Sequence, residues 1–303
     1  MKPKKLVIAA ALLAAQTHAA TLTWTGTAPA GTGGQWNAAN AANWNGVTPV
    51  FDNTADAVFD GTTPITTYNT WLGDGNKMVR SLTFSNFSTQ LEIRTNNNGT
   101  TARQLQLASD TGTATITMNS SVTAPVIVGA LAGANDIGTI RLDNDLSVVQ
   151  NSASLLTMRR PIQESGGARG ITKSGTGTLA LSAANTFTGN VTINEGTLQT
   201  SNNADLGTGT KAVTIASGAT LEMNANINLN VGAPFTVSGA GVGGAGAIHC
   251  LVGSQTTALT APNGLTLAGD TTVNGLAGTR YGAGKDIATG VTTVNAGSIE
   301  VGF

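Results

Sequence analysis

A short unit of two strands joined at a glycine recurs along this chain, and its recurrence limits the fold more than any other feature. Within each copy, apolar residues alternate with Thr, Ser or Asn, which is the period-two pattern of a strand with one buried face. The copies read V-T-I-N-E-G-T-L at 191–198, V-T-I-A-S-G-A-T-L at 213–221 and T-T-V-N-A-G-S-I at 292–299.

The spacing of the copies indicates how they assemble. Gly177, Gly196 and Gly218 each precede a Leu and follow one another in nearly equal steps, and Gly264 lies far enough beyond them to fit two further steps. A regular period of this kind is typical of stacked supersecondary units, none of which can bury its apolar face alone. Each unit here holds strands and no helix, so we predict an all-β fold, a parallel β-solenoid (β-helix).

At these residues the chain is similar to a known family. The run I-T-K-S-G-T-G-T-L-A-L-S-A-A-N-T-F-T-G-N-V-T-I-N-E-G-T-L resembles the autotransporter-associated β-strand repeat of bacterial passenger proteins, most clearly over 169–207 and more weakly to 303. The resemblance implies a right-handed solenoid and an exported passenger-like protein. We expect a structural or adhesive surface protein without catalytic activity. The repeat carries no chemistry of its own, so it assigns no catalytic, cofactor-binding or metal-binding residue.

Residues 1–19 have the pattern of a signal peptide. Three lysines precede Leu6–Ala15, an apolar run too short to span a bilayer, and small residues at Thr17 and Ala19 predict cleavage after Ala19. We therefore expect export, followed by secretion or residence at the bacterial cell surface or outer membrane. No transmembrane helix is predicted in the mature chain.

We divide the rest of the chain into three segments, and the one shift in composition, near 159–170, lies where the clear repeat begins. Residues 20–60 are rich in Trp, 61–165 show strand alternation without a crisp repeat, and 166–303 carry the repeat. We expect the Trp-rich segment to form an N-terminal cap that covers the apolar cross-section of the first rung, where a rung is one complete turn of chain around the solenoid. The alternative is a carbohydrate-binding module that stacks sugars on Trp24, Trp36 and Trp44.

Within 61–165 the alternation predicts strands at Val79–Phe84, Thr89–Arg94, Gln104–Ala108, Thr113–Met118, Val122–Val128, Thr139–Leu142 and Leu146–Gln150. The segment Leu155–Arg160 is compatible with one helical turn.

Charge and residue counts exclude several classes of function. Only 10% of residues are charged and the net charge is −1, which argues against a nucleic-acid or anionic-membrane surface. The lone cysteine, Cys250, permits no internal disulfide and is expected to be buried. It follows His249 in a strand, so the two side chains should point to opposite faces and form no catalytic dyad. The G-x-G-x-x-G motif at 239–244 precedes another strand instead of a helix, which indicates a turn and not a nucleotide site.

One group of residues resembles a catalytic site. Residues two apart in a strand share a face, so Arg141, Asp143 and Asp145 would point outward while Ile140, Leu142 and Leu146 point inward. Two carboxylates beside an arginine suit a polysaccharide lyase or hydrolase, in which paired carboxylates divide acid and base roles. The alternative is a solvated strand face that ends in a turn.

The expected partners follow from the fold. We expect contact with a surface polysaccharide or with a host or matrix surface, and no binding of nucleic acid. Residues 291–301 repeat the strand–turn–strand unit without a recognisable cap, and Glu300 is the single charge there. An uncovered strand edge templates pairing, so we expect end-to-end self-association or continuation into a longer chain.

Overall fold

The computed structural model describes residues 21–25, 36, 38–46, 48–62, 69–73, 75–95, 102–129, 138–225, 227–230, 234–252, 258–260, 264–275, 280–281, 287–288, 292–294 and 298–299. These residues form strands and two short 3₁₀ helices, Ala38–Asn43 and Val242–Gly244, and no α-helix. The predicted all-β class is confirmed. The signal-peptide segment 1–19 lies outside the described residues.

Strands follow one another closely along the chain. Those of the N-terminal half are β1 (Thr21–Trp24), β2 (Asp56–Asp60), β3 (Asn69–Trp71), β4 (Lys77–Val79), β5 (Ser81–Ser85), β6 (Leu91–Arg94), β7 (Gln104–Leu107), β8 (Thr113–Met118), β9 (Val126–Val128), β10 (Thr139–Leu142), β11 (Asp145–Gln150), β12 (Leu156–Met158) and β13 (Ile162–Glu164). Those of the C-terminal half are β14 (Ile171–Ser174), β15 (Thr178–Leu181), β16 (Val191–Ile193), β17 (Gly196–Thr200), β18 (Val213–Ile215), β19 (Ala219–Met223), β20 (Asn228–Asn230), β21 (Phe235–Gly239), β22 (Ile248–Cys250), β23 (Ala258–Thr260), β24 (Leu265–Asn274), β25 (Arg280–Tyr281), β26 (Ile287–Ala288), β27 (Thr292–Val294) and β28 (Ser298–Ile299).

Strands of successive rungs pair in parallel and give the solenoid three faces. The first face contains β2, β5, β8, β11, β14, β16, β18 and β21, and the second contains β3, β6, β9, β12, β15, β17, β19 and β22. The long strand β24 turns from the first face to the second, so both faces belong to one 20-stranded sheet. The third face consists of two four-stranded sheets, β4-β7-β10-β13 and β20-β23-β25-β28.

The core is a continuous interior column of aliphatic and aromatic side chains, and it runs from Leu22 to Val273. Alternate residues of each strand supply it. In β8, for example, Ala114, Ile116 and Met118 are fully buried while the residues between them are half-buried. Stacking in register places like residues above one another, as Leu179, Leu198 and Leu221 show on the second face. Each rung thus buries its apolar side chains against the next rung, which is how a solenoid is stabilised.

The N-terminal aromatic residues close the first rung. Trp24, Trp36 and Trp44 are all fully buried, and Trp44 meets the other two in edge-to-face contacts with ring centroids 5.0 and 5.3 Å apart. Phe59 continues the cluster inward and stacks on Phe84 of the next rung at 5.4 Å. The predicted cap is confirmed, and the sugar-stacking alternative is wrong for these three rings because no face is open to a ligand.

Rung length varies while the register of the strands is kept. On the first face Ile171 pairs with Val191 and then with Val213, so these two rungs are short and nearly equal. Earlier rungs are longer, since Ser81 pairs with Thr115. The difference lies at the corners between faces. Between the second and third faces, β9 ends at Val128 and β10 begins at Thr139, whereas in the next rung β12 ends at Met158 and β13 begins at Ile162.

Two sequence predictions of position within a rung are wrong. Gly264 was expected to be equivalent to Gly196 and Gly218, and the unit at 292–299 was expected to be equivalent to the unit at 191–198. Gly196 and Gly218 lie at the corner before the second face, whereas Gly264 lies at the corner before the first face, where its carbonyl accepts the Phe235 amide. The unit at 292–299 likewise spans the second and third faces, because β27 pairs with β24 and β28 pairs with β25. A strand–glycine–strand pattern occurs at more than one corner, so the pattern alone does not identify the face.

Two local predictions are also corrected. The segment Leu155–Arg160 contains the strand β12 and no helical turn. The single strand predicted at Val79–Phe84 is divided at Arg80, which ion-pairs with Asp56 of the preceding rung. The chain turns a corner at this pair.

Candidate interaction surface

An uninterrupted column of hydroxyl side chains follows the outer side of the first face. Its members, which we call the hydroxyl ladder, are Ser81, Thr115, Ser147, Thr172, Thr192, Thr214, Thr236 and Thr266. Parallel strands lie about 4.8 Å apart, so the ladder extends over roughly 33 Å. All its members are half-buried or exposed, and none carries a charge.

A groove of about 370 Å³ opens beside the middle of the ladder, at the corner between the third and first faces. We call it the corner groove. The side chains that line it come from consecutive rungs: Asp145, Thr172, Thr188, Asn190, Thr192 and Thr210. Gly170 and Gly189 also line it. A Cβ at Gly189 would clash with the backbone of Arg169, so glycine allows the two rungs to approach here.

Carboxylate and amide side chains fix the walls of the corner groove. The Oδ1 atom of Asp145 accepts a hydrogen bond from the Gly170 amide at 2.8 Å, and Asn190 Oδ1 accepts one from the Ala212 amide at 2.8 Å. The carboxylate of Glu164 accepts the Thr188 hydroxyl at 2.6 Å and the Thr188 amide at 2.9 Å. Each bond joins neighbouring rungs, so the groove is preorganised by the stack.

The ionisation of Glu164 follows from these contacts. Partial burial alone would raise the pKa of this carboxyl, but hydrogen bonds from Thr188 and Arg169 and the charge of Lys211 outweigh it and lower the pKa. Glu164 is therefore an anion that anchors Thr188 from behind the groove.

Polar groups inside the solenoid take the place of a third-face strand in this region. Neither 182–190 nor 201–212 contains a strand. Instead, Asn185 accepts the Ile162 amide at 2.8 Å and donates to the Asp205 carbonyl at 2.6 Å, which links three rungs. Lys211 donates to the carbonyls of Phe187 and Leu206 at 2.8 and 2.5 Å, with its ammonium 4.2 Å from the Phe187 ring centroid.

Burial perturbs the titration of these interior groups. Desolvation lowers the pKa of Lys211 to about 8, although the Glu164 carboxylate opposes the shift. Desolvation also raises the pKa of Asp205 to about 7, against hydrogen bonds from the backbone amides of Ser201 and Asn202. Asp205 is fully buried, and its Oδ1 atom has no hydrogen-bond partner. These groups lie in the interior and hold the corner in shape.

The candidate catalytic residues are only partly brought together. Arg141 donates to both carboxylate oxygens of Asp143, at 2.6 and 2.7 Å, so this pair forms as predicted on the outside of the third face. Asp145 begins β11 on the first face and binds Gly170 there. The chain turns at Asn144, so the expectation that all three share one face is wrong. Ile140, Leu142 and Leu146 are buried, as predicted.

The remaining sequence candidates occupy structural positions. Cys250 is buried and forms no disulfide, and its thiol donates to the Val252 carbonyl at 3.1 Å. His249 points outward, 3.4 Å from Glu222 of the preceding rung. The glycines at 239–244 form a corner that leads into β22, as the turn interpretation required. Among the described residues, no three His, Cys, Asp or Glu side chains are close enough to hold a metal ion.

Sequence reasoning missed the interior polar groups. Lys173 lies two residues after the buried Ile171 in the same strand, so the two side chains point to the same, inward side. This spacing was the signal in the sequence that the lysine is buried. Asn185 and Asp205 lie in segments without alternation, where no comparable signal exists. The corner groove was not predicted because its walls come from three rungs.

Comparison with known proteins agrees with the repeat. Residues 171–200 match the model of the passenger-associated-transport-repeat family. The adhesin BmaC autotransporter of Brucella suis biovar 1 (strain 1330) is 31% identical over 137 residues, which is 45% of this chain and 4% of that protein. The chain thus spans a small part of the relative's length. No solved structure matches. The predicted similarity to an autotransporter passenger repeat is confirmed.

No helix in the described part of the chain is both long and apolar enough to cross a membrane.

Proposed function

We propose that this chain is part of an exported adhesive surface protein, in which the solenoid is a rigid rod that presents a polar face. The observation that carries the proposal is the likeness of the repeat region to a protein named as an autotransporter adhesin. The proposed location is the bacterial surface or the surrounding medium, after removal of residues 1–19.

The geometry of the rod supports this role. Rungs contact their neighbours and stack in register, so the outer columns repeat the same side-chain chemistry over many rungs. The hydroxyl ladder offers uncharged donors and acceptors along one face, which suits weak contacts made many times over. A polysaccharide coat or a matrix surface is the partner that we propose.

An attachment assay tests the adhesive function directly. Beads coated with the mature chain, residues 20–303, are applied to immobilised polysaccharides and matrix proteins, with beads carrying heat-unfolded chain as the control. We expect the folded chain to attach to at least one surface and the unfolded chain to attach to none. Equal attachment of both forms, or of neither, would contradict the proposal.

Export has its own test. We expect the protein expressed with residues 1–19 in place to leave the cytoplasm and to begin at Ala20, as mass spectrometry of the mature N-terminus would show. A cytoplasmic product that retains Met1 would contradict export.

Absence of catalysis is also part of the proposal. Asp143 is engaged by Arg141, and Asp145 lies on a different face, so the pair does not converge on one substrate position. We expect no release of reducing sugar from a panel of polysaccharides. Release by the wild type that is lost in Asp143→Ala would identify an enzyme instead.

Self-association through the C-terminal strands stays a prediction. Light scattering over a concentration series compares the wild type with a variant that carries Ile299→Lys and Val301→Lys. We expect the wild type to associate and the variant to remain monomeric. Identical monomeric behaviour of both would contradict pairing at these strands.

A further inference from the structure

The corner groove has the composition of a binding site for a polyhydroxylated ligand. Its volume of about 370 Å³ lies near the lower end of the range for small-ligand sites, about 300–1,000 Å³. The side chains that line it carry hydroxyl, amide and carboxylate groups. A ligand that binds here has to form hydrogen bonds, because the walls offer little apolar surface.

Several polar groups in the corner groove are unengaged. Within the described chain, the hydroxyls of Thr172, Thr192 and Thr210 have no hydrogen-bond partner, although all three line the groove. Asp145 uses Oδ1 to hold Gly170, which leaves Oδ2 without a protein partner. Asn190 uses its Oδ1 atom in the same way and leaves its amide nitrogen as a donor.

The charge of the residues that line the corner groove limits the kinds of ligand that can bind there. Asp145 is the one charged side chain among its described lining residues, and no Lys or Arg lines it. A carboxylate accepts hydrogen bonds from vicinal hydroxyls but repels an acidic group. A calcium ion would need six to eight oxygen ligands, which a single carboxylate with hydroxyls does not supply.

We propose that the corner groove binds neutral saccharides, with Asp145 accepting hydrogen bonds from ligand hydroxyls and Thr172, Thr192 and Asn190 supplying further bonds. This proposal rests on the proposed adhesive function and names the ligand class for it. With no aromatic residue in the wall for a sugar ring to stack on, each site binds weakly. Attachment then depends on many copies acting together on one surface.

Nuclear magnetic resonance of the isotope-labelled mature chain provides the direct test. Mannose, galactose and N-acetylglucosamine are the neutral probes, and glucuronic acid is the acidic probe, each titrated into the millimolar range. We expect a neutral probe to shift the amide signals of Gly170, Asn190 and Thr192, while glucuronic acid leaves them unchanged. Absence of groove shifts with all three neutral probes, or equal shifts with the acidic probe, would overturn the proposal.

Matched variants test whether saccharide binding depends on the corner groove or on the rest of the hydroxyl ladder. Thr172→Val with Thr192→Val removes two hydroxyls and retains the shape and strand preference of the side chains. The loss of two hydrogen bonds predicts about tenfold weaker binding or more. The control, Thr214→Val with Thr236→Val, changes the same ladder just beyond the groove and should bind like the wild type. Equal loss of binding in both double variants would overturn the assignment to the groove.

Asp145→Asn tests the carboxylate. Asparagine retains the oxygen that accepts the Gly170 amide, so the fold should persist and the unfolding midpoint should stay close to that of the wild type. We expect severalfold weaker binding of the neutral probe and new, measurable binding of glucuronic acid. Unchanged affinity for both probes would exclude a role for Asp145 in ligand choice.

The bead assay distinguishes failure of this proposal from failure of the adhesive function. If wild-type beads attach and the Thr172→Val, Thr192→Val beads attach equally well, the groove proposal is wrong and the adhesive function stands. If wild-type beads attach to no surface while the neutral probe still shifts the groove signals, the groove proposal stands and the adhesive function is wrong.

Discussion

The ammonium nitrogen of Lys173 lies 3.0 Å from the backbone carbonyl oxygen of Glu195, one rung further along the solenoid. The same nitrogen donates to the carbonyls of Ser174 and Gly175 at 3.0 and 2.6 Å, and the residue is fully buried. The lysine therefore satisfies three carbonyls at the corner between the first and second faces. Burial lowers its pKa to about 8, although the nearby Glu195 carboxylate opposes the shift.

Lys173→Met is expected to lower the free energy of unfolding by about 2–4 kcal/mol. Methionine fills a similar volume but leaves the carbonyls without a donor, and an unsatisfied buried polar group costs about 1–3 kcal/mol. Denaturant unfolding measures the change. Thr172→Val, the outward neighbour, is the control and should cost less than about 1 kcal/mol. Unfolding of the methionine variant at the wild-type midpoint would mean that the lysine is dispensable.

Leu179→Ala is expected to lower the free energy of unfolding by about 2–5 kcal/mol, through lost transfer energy and the cavity left behind. Leu179 is fully buried and stacks between Leu156 and Leu198, whereas the adjacent Thr178 points outward and is half-buried. Thr178→Ala should therefore cost less than about 1 kcal/mol. Equal losses in the two variants, measured by denaturant unfolding, would show that the inward and outward positions are reversed.

Asp205 predicts a dependence of stability on pH. Burial raises its pKa in the folded chain to about 7 from 3.8, so the folded state binds this proton more tightly than the unfolded state. The stabilising contribution is complete below about pH 4 and is lost as the pH rises through about 7, by at most about 1.4 kcal/mol per pH unit.

Asp205→Asn is the variant that tests this dependence. Asparagine mimics the protonated side chain and should remove the loss of stability between pH 4 and pH 7. The free energy of unfolding of both proteins, measured from about pH 4 to pH 8, should diverge as the pH rises, to the disadvantage of the wild type. Parallel profiles for the two proteins would contradict the link to Asp205.

Trp44→Ala is expected to lower the free energy of unfolding by about 3–5 kcal/mol, because the ring packs between Trp24 and Trp36 in the first rung. Near-ultraviolet circular dichroism should lose the signal of the coupled tryptophans. Binding of neutral saccharides at the corner groove should be unchanged in the part of the population that remains folded. Unfolding of the variant at the wild-type midpoint would contradict a stabilising role for the Trp44 ring.

How much of the fold was predictable depended on the local regularity of the sequence. The bounds of β8 and β10 agree with the prediction residue for residue, because alternation continues without interruption to the turn residues at each end. The alternation of buried and outward residues is interrupted at corners. Because the chain changes direction there, the buried positions can switch between odd and even residue numbers. Val79 and Leu82 are both fully buried although their positions have opposite parity, because the corner at Arg80 lies between them.

The candidate site was less predictable than the fold. Asp145 was identified from its sequence neighbours, yet its contacts are with Gly170 and the groove, which come from the next rungs. Such contacts depend on which residues stack above one another. The number of residues in a rung varies, since Ile171 pairs with Val191 but Ser81 pairs with Thr115. The residues that stack above one another are therefore unknown until the strand register is known.

The connection between the second and third faces differs in length from rung to rung, since β9 ends at Val128 and β10 begins at Thr139, whereas β12 ends at Met158 and β13 begins at Ile162. The number of residues in a rung can therefore change without a change in the strands that supply the core. We expect a peptide inserted between β9 and β10 to leave these two strands in place, because β9 pairs with β12 and β10 pairs with β7, each on its own face. Such an insert would change the surface of the rod at this corner while the apolar column inside stays the same. The same property makes the rod a scaffold for displaying peptides.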